Sequence, residues 1–214
     1  MKWDFAYLIL SGLPWTIVVT AGAFAIGLVL GAPLCAMHVS RSRVLHFLAV
    51  GIIVFLRSIP PIVWLFLLFF GIGSGFVSIG AVPAAIVALG LVTAANMAEI
   101  YRGALHGIHH GQWEAISALG LPRLSSFVDV VVPQLFRVTL PSAASYLIGL
   151  FKDSAIASTV GVMDIAFLAN FVARKSFDGL SPFAFAALLY ILISIPIAFL
   201  ARVTDARLRQ KVAQ

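Results

Sequence analysis

Apolar runs of bilayer length, each closed by a short cluster of charge, govern what this chain can fold into. A hydrocarbon core about 30 Å thick requires roughly 17–25 apolar residues of helix. The runs Ile17–Met37, Leu48–Ile72 and Ile79–Ile100, one beginning near Val138, and Pro182–Ala201 meet that need. With 62% hydrophobic and 10% charged residues, the chain lies outside the range of a soluble domain. The expected fold is an all-α integral membrane protein of about five transmembrane helices, forming one domain over residues 1–214.

The formal charge of +6 does not indicate a nucleic-acid partner, because the basic residues sit between the apolar runs and not on one face. His38, Arg41, Arg43 and His46 follow the first run, Arg102 and Arg123 follow the third, and Arg202, Arg207, Arg209 and Lys211 follow the fifth. These segments fall on one side, which the positive-inside rule makes cytoplasmic. Five spans then put the N-terminus outside and the C-terminus inside. Trp3, Phe5 and Tyr7 read as interfacial anchors, and the first run as a retained span rather than a cleaved leader. Pro60-Pro61 predicts a kink in the second run, since neither ring nitrogen donates to the helix ladder. Gly71, Gly73 and Gly75 mark a short turn before the third. The lone Cys35 has no partner for a disulfide or thiolate site and reads as a small buried hydrophobe.

The one substantial polar segment runs from Tyr101 to Arg137, with a fourth span expected only after it. Inside it, Gly111–Gly120 reads as a short helix stopped at Gly120, with Pro122 just beyond. Ala115, Ala118 and Leu119 share a narrow face of small and apolar side chains. Periodicity leaves two readings open for that face: packing on its own bundle, or lying in another protein's groove.

Four elements stand in a recognisable order. Gly12 and Thr16 open the first run, Phe55-Leu56-Arg57-Ser58-Ile59-Pro60 closes the first half of the second, and Ala98-Glu99-Ile100-Tyr101-Arg102-Gly103 closes the third. Glu114, Ala115, Gly120, Pro133 and Gln134 complete the set in the polar segment. The sequence resembles the permease subunits of polar amino-acid ATP-binding-cassette importers, of the histidine, glutamine, arginine and opine type. That resemblance implies a type I importer fold in a bacterial inner membrane and a coupling loop at about residues 102–136. It also implies partners: two ATPase subunits, a second permease subunit of the same or a different chain, and an extracytoplasmic amino-acid-binding protein. Gly111, Glu114, Ala115, Ala118, Leu119 and Gly120 would form the coupling element that docks on the ATPase, with Glu114 at the positive end of its helix dipole. The chain has no G-x-x-x-x-G-K-[ST] segment, so ATP-Mg belongs to the partner and no cofactor is expected here. The chain is expected to be a transport subunit, not an enzyme, with a polar amino acid or an opine-like derivative as cargo.

Ionisable and polar groups within spans are expensive and are site candidates by default. Thr93, Asn96 and Glu99 recur every three residues on one stripe of the third run. Glu99 either lines a cavity or pairs with Arg102. Lys152-Asp153-Ser154 resembles a recurrent element of the family and lies about fourteen residues into the expected fourth span. Asn96, Glu99, Asp153 and Ser154 are therefore the candidate cavity residues, although Lys152 and Asp153 also suit structural pairing. Arg57 reads as a snorkelling or capping residue. His106, His109 and His110 have helical metal-site spacing without the acidic partner of an H-E-x-x-H motif, and solvated side chains without metal are expected. Thr139 and Ser142 are expected to relieve backbone groups freed near Pro141.

Overall fold

The computed structural model describes residues 2–72 and 79–210. The Gly73-to-Gly75 portion of the expected turn and Lys211 lie outside them. Helix α1 (Lys2–Leu10) meets α2 (Leu13–His38) at a tight turn, and α3 (Arg43–Ser58), α4 (Pro61–Phe66) and α5 (Ala81–His106) follow. Then come α6 (His110–Ala118), α7 (Arg123–Ser125), α8 (Val132–Asp153), α9 (Ile165–Ser176) and α10 (Leu180–Gln210). A π turn, Ser126–Val131, joins α7 to α8, and a 3-10 stretch, Ser154–Val160, continues α8. The lengths and compositions supply four spans, Phe5–His38, Ala81–His106, Arg123–Val160 and Leu180–Phe199, and a fifth if the bent pair Arg43–Ser58 and Pro61–Gly71 crosses as one broken span.

Helix α5 is the centre of the bundle. In its most apolar stretch 61% of residues are buried, against 17% for the Leu180–Phe199 span. Its inward positions are small: Ala84, Ala85, Ala88, Ala94, Ala95 and Ala98 are all at or below 1% exposure. Small side chains allow two helices in lipid to approach closely. Gly27 and Gly31 of α2 complete the fit, since a β-carbon at Gly27 would overlap the Thr93 side chain and one at Gly31 would stand 2.7 Å from Met97 Cβ. Val19, Ala23, Leu65 and Leu89 fill the core on one side of this pair, and Cys35, Ile53 and Leu56 on the other. A separate cluster of Ile9, Ile165, Val172 and Leu189 joins α1, α9 and α10.

The second apolar run breaks more sharply than the expected kink: α3 and α4 meet at 94°. Ile59, ahead of the proline pair, is extended at φ −101° and ψ 129°, as a residue preceding proline must be. The Leu56 carbonyl, left without a donor by Pro60, is answered locally: Trp64 Nε1 donates to it at 3.2 Å.

The segment expected to be a polar loop is mostly helix. Helix α5 continues to His106 and the next span starts at Arg123, fifteen residues before Val138, leaving α6 between two short connections. The charged residues of Arg123–Arg137 are spaced so that the helix carries them at its outer end and surface. Pro133 has no N–H for the turn before it, and the π turn over Ser126–Val131 absorbs that missing donor. Because the helix starts early, Asp153 stands about 45 Å along it from Arg123, at the far end of the span, not fourteen residues deep.

Candidate coupling helix and transport path

The projecting element is α6. None of its residues is buried, and Leu119, its C-cap, is 72% exposed. His109 caps the other end, its ring Nδ1 accepting from Gly111 N–H at 3.1 Å. The helix therefore begins at His110, four residues before Glu114. Glu114 lies in the second turn and not at the positive end of the dipole, where the sequence reading placed it; its partner is His110 Nδ1 at 3.1 Å.

At the C-terminal end, Gly120 adopts φ +59°. Its N–H bonds Ser117 O at 3.2 Å, and Leu121 N–H bonds Ile116 O at 3.3 Å. This pair of bonds is the Schellman arrangement, which needs a left-handed residue where glycine alone escapes a steric cost. Trp113, Ile116, Ser117 and Gly120 turn back toward Arg123 and Phe127, lining a recess between α6 and the π turn. Glu114, Ala115, Ala118 and Leu119 line no part of that recess and are exposed, forming the outward face. Gln134 anchors the base: its Nε2 reaches Gln112 Oε1 and Val130 O, each at 3.1 Å. Thus Pro133 shapes the turn below α6 and Gln134 ties α6 to it.

The candidate cavity residues divide. Asn96 Nδ2 donates to Val92 O at 2.9 Å and approaches Tyr146 OH at 3.4 Å, while Tyr146 OH donates to Thr93 Oγ1 at 3.3 Å. Tyr146 was not singled out by sequence, yet it joins Asn96 and Thr93 of α5 to α8 in one polar group. Glu99 stands apart: Arg102 Nη2 binds its Oε2 at 2.7 Å and His38 Nδ1 is 3.1 Å from its Oε1. His46 Nδ1 in turn reaches His38 O at 2.6 Å. Ser154 is 1% exposed, and its hydroxyl donates back to Phe151 O at 2.8 Å. Glu99 is thus held by Arg102 and His38, and the Ser154 hydroxyl by its own helix.

Residues 23–210 match the family described as binding-protein-dependent transport system inner membrane component. The chain belongs to that family. Among its relatives, the probable amino-acid ABC transporter permease protein YckA of Bacillus subtilis (strain 168) is 32% identical, covering 87% of this chain and 82% of its own. The arginine transport system permease protein ArtQ of the same organism is also 32% identical, covering 94% of this chain and 92% of its own. A crystal structure of an amino acid ABC transporter with histidines superposes with a TM-score of 0.90 at 27% identity, covering 96% of both chains. The chain is thus an inner-membrane permease with the type I importer fold.

The remaining polar groups of the permease have local duties. His106 Nδ1 is 2.8 Å from Arg102 O, so each of the three clustered histidines is engaged within its own turn or the next. Among the described residues no group of His, Cys, Asp and Glu is arranged to hold a metal ion. Gly12 and Thr16 act at the joint between α2 and α9. A β-carbon on Gly12 would sit 2.5 Å from the Asp164 carbonyl carbon, and Thr16 Oγ1 accepts from Ile165 N–H at 3.3 Å. Asp164, expected in an intervening polar patch, is wholly buried and caps α9, its Oδ1 accepting from Phe167 N–H at 2.8 Å. Burial pushes its carboxyl up to about 7, against the lowering effect of the backbone N–H bonds.

Proposed function

We propose that this permease is one of two such subunits in an importer that carries a polar amino acid into the cytoplasm. Two separate ATPase subunits bind ATP-Mg and supply the drive, and an extracytoplasmic binding protein delivers the cargo. The N-terminus faces outside and the C-terminus the cytoplasm, by the distribution of Lys and Arg. The observation that carries the reading is α6: a helix with no buried residue, an outward face of Glu114, Ala115, Ala118 and Leu119, and a rigid left-handed exit at Gly120. A helix that buries nothing in its own chain gains its stability from a partner's groove. Held at its base by Gln134, it passes a partner's movement to α8 as a rigid body.

Cargo chemistry follows from the other end of the path. Thr93, Asn96 and Tyr146 form a joined polar group between α5 and α8, and Arg57 and Asp153 supply opposite charges suited to the carboxylate and ammonium groups of a zwitterion. The amino-acid relatives agree with that class. An opine or other amino-acid derivative keeps the same two groups and is the alternative cargo. The test is reconstitution with the cognate ATPase, partner permease and binding protein, reading ATP hydrolysis across polar amino acids and opines. Stimulation by one class identifies the cargo. Assembly without stimulation by any zwitterion overturns the cargo assignment, and failure of the ATPase to assemble overturns the coupling role of α6.

A further inference from the structure

A long trench runs along the membrane-embedded surface between α2, α5 and α8. Its cavity volume is about 500 Å³, and Leu28, Cys35, Leu105, Leu135, Phe136 and Leu140 are among its walls. It extends from Phe24 to Val39 on α2 and from Phe127 to Ala143 on the facing helix. At 1.5 Å per residue these are about 22 and 24 Å, the depth of one bilayer leaflet with its headgroup zone. The walls are almost wholly apolar: the Tyr101 hydroxyl donates to Leu28 O at 3.2 Å, and the Thr139 hydroxyl is buried.

The trench opens at its basic end. Val39, Leu105 and Phe127 also line a recess of about 820 Å³ that carries His106, His109, His110 and Trp113. Trp113 and Phe127 continue into the recess beneath α6, where Arg123 is found. No Asp or Glu lines the trench or either recess among the described residues. Of the acidic groups nearby, Glu114 is turned to His110 and Glu99 is paired with Arg102. A greasy slot one leaflet deep, ending in a tryptophan, three imidazoles and a guanidinium, complements an amphiphile with a long apolar tail and an anionic head.

Shape favours one occupant. A helix about 10 Å wide and 22 Å long could set only a row of side chains into this open trench, leaving most of its roughly 1,700 Å³ outside. A hydrocarbon chain 4–5 Å wide fills roughly 300–450 Å³ over the same length. We propose that the trench is a site for an anionic phospholipid of the basic-side leaflet, one acyl chain lying between α2 and α8 and the phosphate held by Arg123 and the histidines below α6. The lipid then bridges the spans and the base of α6, so the surrounding bilayer bears on that helix.

The assembled importer, exchanged into nanodiscs of phosphatidylglycerol or phosphatidylcholine, is released into detergent and its retained lipids are counted by native mass spectrometry. Wild type is expected to retain phosphatidylglycerol about ten-fold over phosphatidylcholine. Ala36→Trp, at an exposed small residue of the trench wall, is expected to lose that lipid while the permease pair stays intact. Arg123→Gln with His106→Gln leaves the trench open and is expected to abolish the preference without abolishing retention. This second variant carries the test alone if the Ala36→Trp chain fails to fold or insert into the membrane. Phosphatidylglycerol retained by Ala36→Trp at the wild-type level, or an unchanged preference in the double variant, overturns the site. Separation of the permease pair by Ala36→Trp overturns it too, by assigning the trench to the second chain.

Discussion

Replacing Gly120 by alanine isolates the conformational demand at the exit of α6. The backbone there sits at φ +59°, and a β-carbon would meet nothing within 4 Å, so steric conflict with neighbours contributes nothing. What remains is the left-handed penalty of an L-residue, about 1–2 kcal/mol, which lowers the population of the Schellman exit by about 5–30-fold relative to competing exits. Asparagine tolerates this region better than alanine, and a β-branched residue tolerates it least. The expected order of cargo-stimulated ATP hydrolysis by the reconstituted importer is therefore Gly120, then Gly120→Asn, Gly120→Ala and Gly120→Val. Membrane insertion should be equal in all four, because no span touches the position. Equal activity of the four proteins would refute the argument, as would alanine outperforming asparagine, since bulk alone predicts either of those results.

Gly27→Leu should sharply reduce folded permease recovered in detergent, because its side chain enters the Thr93 position, whereas Gly51→Leu, with open space around it, should be recovered normally; equal recovery would remove close packing of α2 on α5 as a determinant. Glu99→Gln should cost about 1 kcal/mol in thermal stability through the lost Arg102 pair and leave the apparent cargo affinity unchanged; a large rise in KM would restore Glu99 to the transport path. Tyr146→Phe should raise the KM for cargo several-fold with little effect on basal ATP hydrolysis, and an unchanged KM would take Tyr146 off that path. Because burial raises the Asp164 carboxyl from 3.8 to about 7, the folded chain keeps a proton between those values that the unfolded chain has released, and stability falls as pH rises through the window, by on the order of 4 kcal/mol. Asp164→Asn keeps the cap and should flatten that slope in melting curves from pH 4 to 8; a slope identical to wild type would show that Asp164 is not its source.

The spans were legible because the bilayer fixes a length and penalises charge, both of which are properties of composition. Helix ends were less so. A stretch carrying Arg123, Asp129 and Arg137 averages to a polar loop, yet a helix leaving the membrane can hold all three at its surface while Val131 packs inward. The start of α6 was legible to within one residue, at Gly111 against the observed His110; only the dipole placement of Glu114 failed, because a helix that begins there carries Glu114 in its second turn. The stop at Gly120 and Pro122 was visible because glycine has a unique conformational use there.

Polar residues inside the bundle follow one rule that also explains which could be read in advance. Asn96 and Thr93 showed through because they repeat along one helix, but Tyr146, which joins them, lies 50 and 53 residues away and no local period points to it. Asp164 is the extreme case. Beside Gly161 it reads as a surface loop charge, and only the arrival of Gly12 and Thr16 from the other end of the chain makes its position an interior one. The two opening residues of the family pattern and the aspartate thus form a single joint, whose glycine admits the α9 backbone and whose threonine accepts its first N–H. That joint ties α1, α2 and α9 together through backbone contacts at one place in the bundle.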